Sequence, residues 1–143
     1  MNAYKVLRDR QQEEFNSIPL GFAFGQKQFD ELLARWEITA DEAPLKIAAI
    51  GAGGYIQKKD VPLLRAMTAR HKAELKAAIA EDETGEGFIH DMFYYELNNN
   101  EYSITYDTTD ALEALGLTAE EIAADERLKK GLALAHSQIM GVD

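Results

Sequence analysis

Residues 85–106, GEGFIHDMFYYELNNNEYSITY, bring a histidine, several aromatic rings, carboxylates and three consecutive asparagines into one short stretch. Tyr94, Tyr95, Asn98, Asn99, Glu101 and Tyr102 join flat aromatic area to adaptable polar groups, which is the chemistry of a protein-binding surface. The plainer reading of the same residues is half-buried tyrosines followed by asparagines (Asn100 among them) that cap a helix and turn the chain. Other spacings point to a chemistry and stop short of it. Asp82 and Gly87 match positions one and six of a calcium-binding EF-hand loop, but position three is Thr84 and position twelve is Phe93. A hard cation would lack its bidentate glutamate there. A helix–helix turn, with acidic residues at the start of the next helix, is the expected structure. Gly51-Ala52-Gly53-Gly54 suggests a phosphate loop, yet the third glycine of the dinucleotide pattern is replaced by Ile56 and no Gly-Lys-Ser/Thr follows. A hairpin turn with positive φ accounts for it better. Glu86 and His90 stand four apart, a spacing that on a helix gives a surface hydrogen bond. Ser17, Ser103 and Ser137 lie in no nucleophile elbow, and the absence of cysteine excludes thiol catalysis, disulfides and cysteine zinc sites. No catalytic residue, metal or cofactor is therefore expected.

One enzymatic alternative stands beside this. His71, then His90-Asp91, then a later aspartate resembles the ligand order of the helical HD-type phosphohydrolases, in which imidazole and carboxylate groups hold a divalent metal that activates water. Asp110, Asp125 and Asp143 are equivalent candidates for the last ligand. His71 falls on an apolar helical stripe with Leu64, Met67, Leu75 and Ala78, which makes a histidine at the edge of the core the simpler reading.

Composition narrows the partners. Twenty-five acidic against 15 basic residues give a net charge of −10 over 143 residues. A phosphate backbone attracts stripes of Lys and Arg, and none is visible, so direct nucleic-acid binding is not expected. The acidic surface suits a basic protein partner or solubility alone. No stretch approaches the ~20 apolar residues of a membrane span, and the charged start MNAYKVLRDR has no signal core. A cytoplasmic protein with no membrane contact is expected.

These residues must be positioned by a mixed set of elements. Residues 3–16 read as a helix stopped before Pro19, and residues 20–24, LGFAF, as a strand. Phe29, Leu32, Leu33 and Trp36 mark an amphipathic helix over 28–38, with Trp36 a core anchor. Thr39 and Glu42 have capping-box spacing, but Pro44 limits any helix to one turn. Two strands, 46–50 and 55–58, flank the glycine turn. Asp60 caps a long helix with Pro62 in its first turn, and this helix ends over 81–85. Phe88, Ile89, Met92, Phe93 and Leu97 form a helical stripe broken by the asparagines, and Tyr102, Ile104 and Tyr106 alternate as a strand. Asp107 or Thr108 opens a short helix over 111–115 that Gly116 stops. Thr118 and Glu121 form a capping box, and Asp125 caps a final helix ending near Gly141.

Three blocks, Arg10 to Asn16 followed by Pro19 and Phe22-Ala23-Phe24, Gly85-Glu86-Gly87-Phe88-Ile89 through to Tyr95-Glu96-Leu97, and Leu115-Gly116-Leu117-Thr118, resemble a family of small uncharacterised proteins encoded by phages and integrated elements of Firmicutes. The resemblance implies a bacterial cytoplasm and an accessory role, such as countering host defence, and transfers no catalytic residue. The expectation is thus a helix-rich α+β protein, one domain over 1–143, with helices covering one side of a small, mainly antiparallel sheet. Its expected work is non-enzymatic binding of a host protein.

Overall fold

A computed structural model describes residues 1–141. The elements run α1 (Ala3–Asn16), β1 (Leu20–Phe22), α2 (Gln26–Arg35), α3 (Ala43–Lys46), β2 (Ile47–Gly51), β3 (Gly54–Gln57), a 3₁₀ turn (Lys58–Asp60), α4 (Val61–Glu81), α5 (Phe88–Asn99), α6 (Tyr102–Thr105), α7 (Thr109–Leu115), α8 (Ala119–Ala123) and α9 (Glu126–Met140). The α+β class, helix-rich with a small antiparallel sheet, is as expected. The backbone divides into two compact units, a sheet unit of Gln12–His71 and a helical unit of Met1–Gln11 with the chain from Lys72 onward. The boundary falls inside α1 and inside α4. No described helix is long and apolar enough to cross a membrane.

In the sheet unit the strand order is β1-β3-β2, and both pairings are antiparallel. The expected turn forms: Gly51, Ala52 and Gly53 all have positive φ (90°, 52° and 76°) and carry the chain from β2 into β3. Only glycine adopts that region without steric cost, which is why two of the three are glycine. Ile56, on the central strand, is fully buried with Ile18 and Met67. A second cluster joins Leu33, Ile38, Ala43 and Ile47. Helix α2 ends in a Schellman motif: Glu37 N–H donates to Ala34 C=O and Ile38 N–H to Leu33 C=O, with Glu37 left-handed at φ 57°. The motif turns Ile38 inward onto Leu33. Helix α3 is a single turn, but Pro44 does not stop it: the proline sits in the first turn, where its fixed φ suits a helix start, and the helix ends at Ile47, which is extended as β2 begins. Asp60 does not make the anticipated cap. The 3₁₀ turn runs straight into α4, and the one described partner of its carboxylate is Lys59, at 3.5 Å.

In the helical unit α5 is the core. Ile89, Met92, Phe93 and Leu97 have no exposed surface, and the helix packs against α6, α7 and α9. Tyr4 of α1 joins the same cluster, with Ala111, Leu115, Ile122, Leu128 and Ala135. The capping box at α8 is present in both directions: Glu121 N–H donates to Thr118 Oγ1 at 3.1 Å, and Thr118 N–H to Glu121 Oε1 at 3.2 Å. Asp125 accepts from Arg127 N–H to cap α9.

The expected strand over 102–106 is a correction. These residues form the one-turn helix α6, bracketed by left-handed Glu101 (φ 56°) and Tyr106 (φ 58°). A strand needs a ladder partner, and all described strands lie in the sheet unit. The backbone satisfies itself locally instead, with Thr105 N–H donating to Glu101 C=O and Tyr106 N–H to Tyr102 C=O.

Where α5 meets α9 the backbones approach closely at Gly131. A Cβ there would lie 2.5 Å from Ile89 Cγ2 and 2.9 Å from the Gly85 carbonyl oxygen. Gly131→Ala is expected to lower the unfolding free energy by about 1–3 kcal/mol in urea melts. Gly25, whose Cβ would meet nothing within 4 Å, should accept alanine at a cost below about 1 kcal/mol.

Candidate protein-binding surface

The six candidate residues all belong to the C-terminal part of α5 and its corner with α6. Tyr94 and Tyr95 are half-buried. Tyr94 stacks on His90, with ring centroids 5.7 Å apart and planes at 22°. Tyr95 leans on Tyr4 at 5.6 Å and lies under the Arg8 guanidinium, 5.5 Å from the ring centre. Both rings therefore serve packing more than display. Tyr102 is inside: it is 9% exposed, and its hydroxyl pairs with His136 Nδ1 at 2.8 Å. Asn98, Asn99 and Glu101 are exposed. Asn100 closes α5, its side chain donating to Glu96 C=O at 2.7 Å.

Two residues absent from the sequence-based set dominate the surface of the corner. Ile104 is 74% exposed and Tyr106 68%. Period-2 alternation puts Tyr102, Ile104 and Tyr106 on one side of a strand, but on a helical turn residues two apart point away from each other. Burying Tyr102 therefore turns Ile104 out. Two left-handed residues with side chains, at ~1 kcal/mol each, hold this display in place. Asp107 follows. Its carboxyl is held below the usual range by the Thr109 hydroxyl and N–H, so a negative charge stands next to Tyr106.

Beneath the corner lies a buried charge. Glu96 has no exposed surface, and it accepts from Arg8 Nη1 at 3.0 and 3.2 Å and from the Tyr4 hydroxyl at 3.1 Å. Burial, reinforced by the Glu96 charge, pushes the Tyr4 phenol up to about 12, so it stays a donor. The Arg8 guanidinium resists desolvation and is raised by its bond to Tyr4 and by Glu96. The sequence signal of this network is Glu96 itself, a charge standing on the apolar stripe between Phe93 and Leu97.

The groups considered for metal chemistry have structural partners. His90 Nδ1 faces Asp91 at 3.1 Å, and its Nε2 faces Gln138 Oε1 at 2.6 Å. Asp91 in turn accepts from Ala3 N–H at 2.9 Å and so caps α1. His71 belongs to the sheet unit, where its Nε2 lies 3.5 Å from Glu14, a carboxylate that also pairs with Arg70. In the loop examined for calcium, Asp82 accepts backbone N–H groups from Thr84, Gly85, Gly87 and Ile89 at 2.9–3.1 Å. Burial opposes its ionisation, but these four bonds outweigh burial and hold the carboxyl below its usual range. Arg127 completes the corner, donating to the Ile79 and Asp82 carbonyls at 2.9 and 2.7 Å at the end of α4.

The family of unknown function DUF7659 matches residues 3–138, from the first residue of α1 into the last turns of α9. The chain belongs to that family. No curated protein and no solved structure matches it. In this DUF7659 protein the network at Glu96 meets the candidate set through Arg8, which is partly exposed and lies over the Tyr95 ring.

Removing Arg8 should strand a buried carboxylate. Arg8→Met is expected to cost about 3 kcal/mol in chemical denaturation, and Arg8→Met combined with Glu96→Leu to recover most of it. A double variant no more stable than the single would contradict this. Asp82 contributes to the acid limb. Its folded pKa lies below its unfolded one, so its contribution is complete above the unfolded carboxylate range and is lost as pH falls through the folded value. Asp82→Ala should therefore cost about 2 kcal/mol at pH 7, with the gap to wild type narrowing as the pH falls through the folded value.

Proposed function

We propose that this protein is a non-enzymatic, acidic accessory protein of a phage or integrated element, and that it binds a protein of the bacterial host through the α5–α6 corner. The observation that carries the reading is the exposed pair Ile104 and Tyr106, held out by left-handed residues on either side. Tyrosine is among the residues enriched in interface hot spots, and an aliphatic neighbour with a polar rim completes a usable anchor. Asn98, Asn99 and Glu101 supply the adaptable rim, and Asp107 and Asp110 add negative charge. With a net charge of −10, the complementary partner is a basic surface with an apolar socket. An inhibitor of a host defence protein fits that description, and the resemblance to phage and integrated-element proteins supplies the bacterial context.

Ile104→Ser with Tyr106→Ser tests it. Both side chains are exposed, so the melting temperature should change by no more than a few degrees. Tagged wild-type protein should retain a specific partner from bacterial lysate at low salt, and the double variant should lose it by tenfold or more. Retention of nothing, or equal retention by both proteins, would refute the reading.

A further inference from the structure

We propose that the sheet unit carries a binding site for a small organic anion, a carboxylate or phosphate head on a short apolar body. Between the end of α2, α3 and the 3₁₀ turn lies a cavity of about 350 Å³, within the size range of small-molecule sites. Its rim carries Lys46, Lys58 and Lys59, three of only 15 basic residues in a chain with 25 acidic ones. Among the described residues Glu37 is the one carboxylate in the lining. Lys46 pairs with Glu42 and Lys59 with Asp60, but neither carboxylate lines the cavity. Lys58 has only a neutral partner among the described residues, the Pro44 carbonyl at 3.0 Å. Three lysines thus line one concavity, and Lys58 is the one among them with no carboxylate partner among the described residues.

The apolar part of the lining is Trp36, Ile38 and Leu45. Ile38 is buried in the core, Trp36 is half-buried, and Leu45 is 78% exposed. Leu45 is the most exposed aliphatic side chain between Phe24 and Ile104, and the proposed ligand body would cover it. The floor is fixed by local structure. The Schellman turn at Glu37 sets Trp36 and Ile38, Pro44 sets α3, and the Lys58 bond to Pro44 C=O ties the 3₁₀ turn to α3. Short charge-assisted bonds to the ammonium groups would orient the head, and the apolar floor would take the chain.

Trp36 is the only tryptophan, so its emission reports the site directly. The probes are octanoate and octyl phosphate, with octanol as the uncharged control and acetate and inorganic phosphate as heads without a body. Octanoate or octyl phosphate should shift Trp36 emission saturably, with half-saturation below about 1 mM. Their ratio tells which head is preferred. Octanol and the two small anions should bind at least tenfold more weakly. Lys59→Gln, at an exposed position that leaves folding intact, and Lys58→Gln should each weaken binding several-fold, and raised salt should do the same. Saturation by octanol at the same concentration, unchanged affinity in both lysine variants, or no saturable shift with either anion would overturn the proposal.

Discussion

A carboxylate with no access to water must be answered by donors, and in the helical unit that requirement fixes much else. Glu96 lies on the buried face of α5 and is met by Arg8 and Tyr4, both from α1. A buried ion pair adds little net stability over an apolar replacement, but it tolerates few alternative arrangements. Here it sets the register of α1 on α5. Asp91, on the same helix, caps the first turn of α1 through Ala3 N–H, and Asn2 donates to the Asp91 carbonyl. Two polar anchors on α5 thus hold the start of α1, and the rings of Tyr4, Phe88 and Tyr95 fill the space around them. Of the tyrosines that look available in the sequence, Tyr95 is committed to this joint, Tyr94 to His90 and Tyr102 to His136, which moves the exposed surface on to the asparagines and to α6.

The corner between α4 and α5 shows how acidic residues are used locally even in a strongly acidic chain. Asp82 collects four backbone N–H groups at the start of α5, and Arg127 meets carbonyls at the end of α4. Each charge thus faces the unsatisfied groups of a helix terminus, negative to N–H and positive to C=O. The loop resembles a calcium site in sequence because both structures need a carboxylate beside a tight turn. Here the backbone N–H groups occupy the carboxylate in place of an ion.

The sheet unit has a different economy. Its sheet has three short strands and its apolar clusters are small, so turns and caps do much of the positioning. The left-handed hairpin of residues 51–53 and the Schellman turn at Glu37 fix where β3 and the end of α2 arrive. The Schellman turn also shapes the lysine-rimmed cavity, so fold and candidate ligand site share a local constraint.

The sequence by itself determined the features that depend on neighbours along the chain. Apolar periodicity marked α1, α2, α4, α5 and α9, the Thr118–Glu121 box marked α8, and the glycine run marked the hairpin, since each is decided by spacing within a few residues. Asn98, Asn99 and Glu101 were legible as exposed polar groups for the same reason. The tertiary structure alone decided the rest. The alternation Tyr102-Ile104-Tyr106 fits a strand, but with no strand to pair with, the segment coils into α6, buries Tyr102 against His136 and turns Ile104 outward. The partner of Glu96 lies 88 residues away at Arg8, and no local rule names it. Hydrogen bonds within a turn are written in the local order of residues, whereas the pairing of a buried charge, and the side of an element left facing water, are fixed only when distant segments meet.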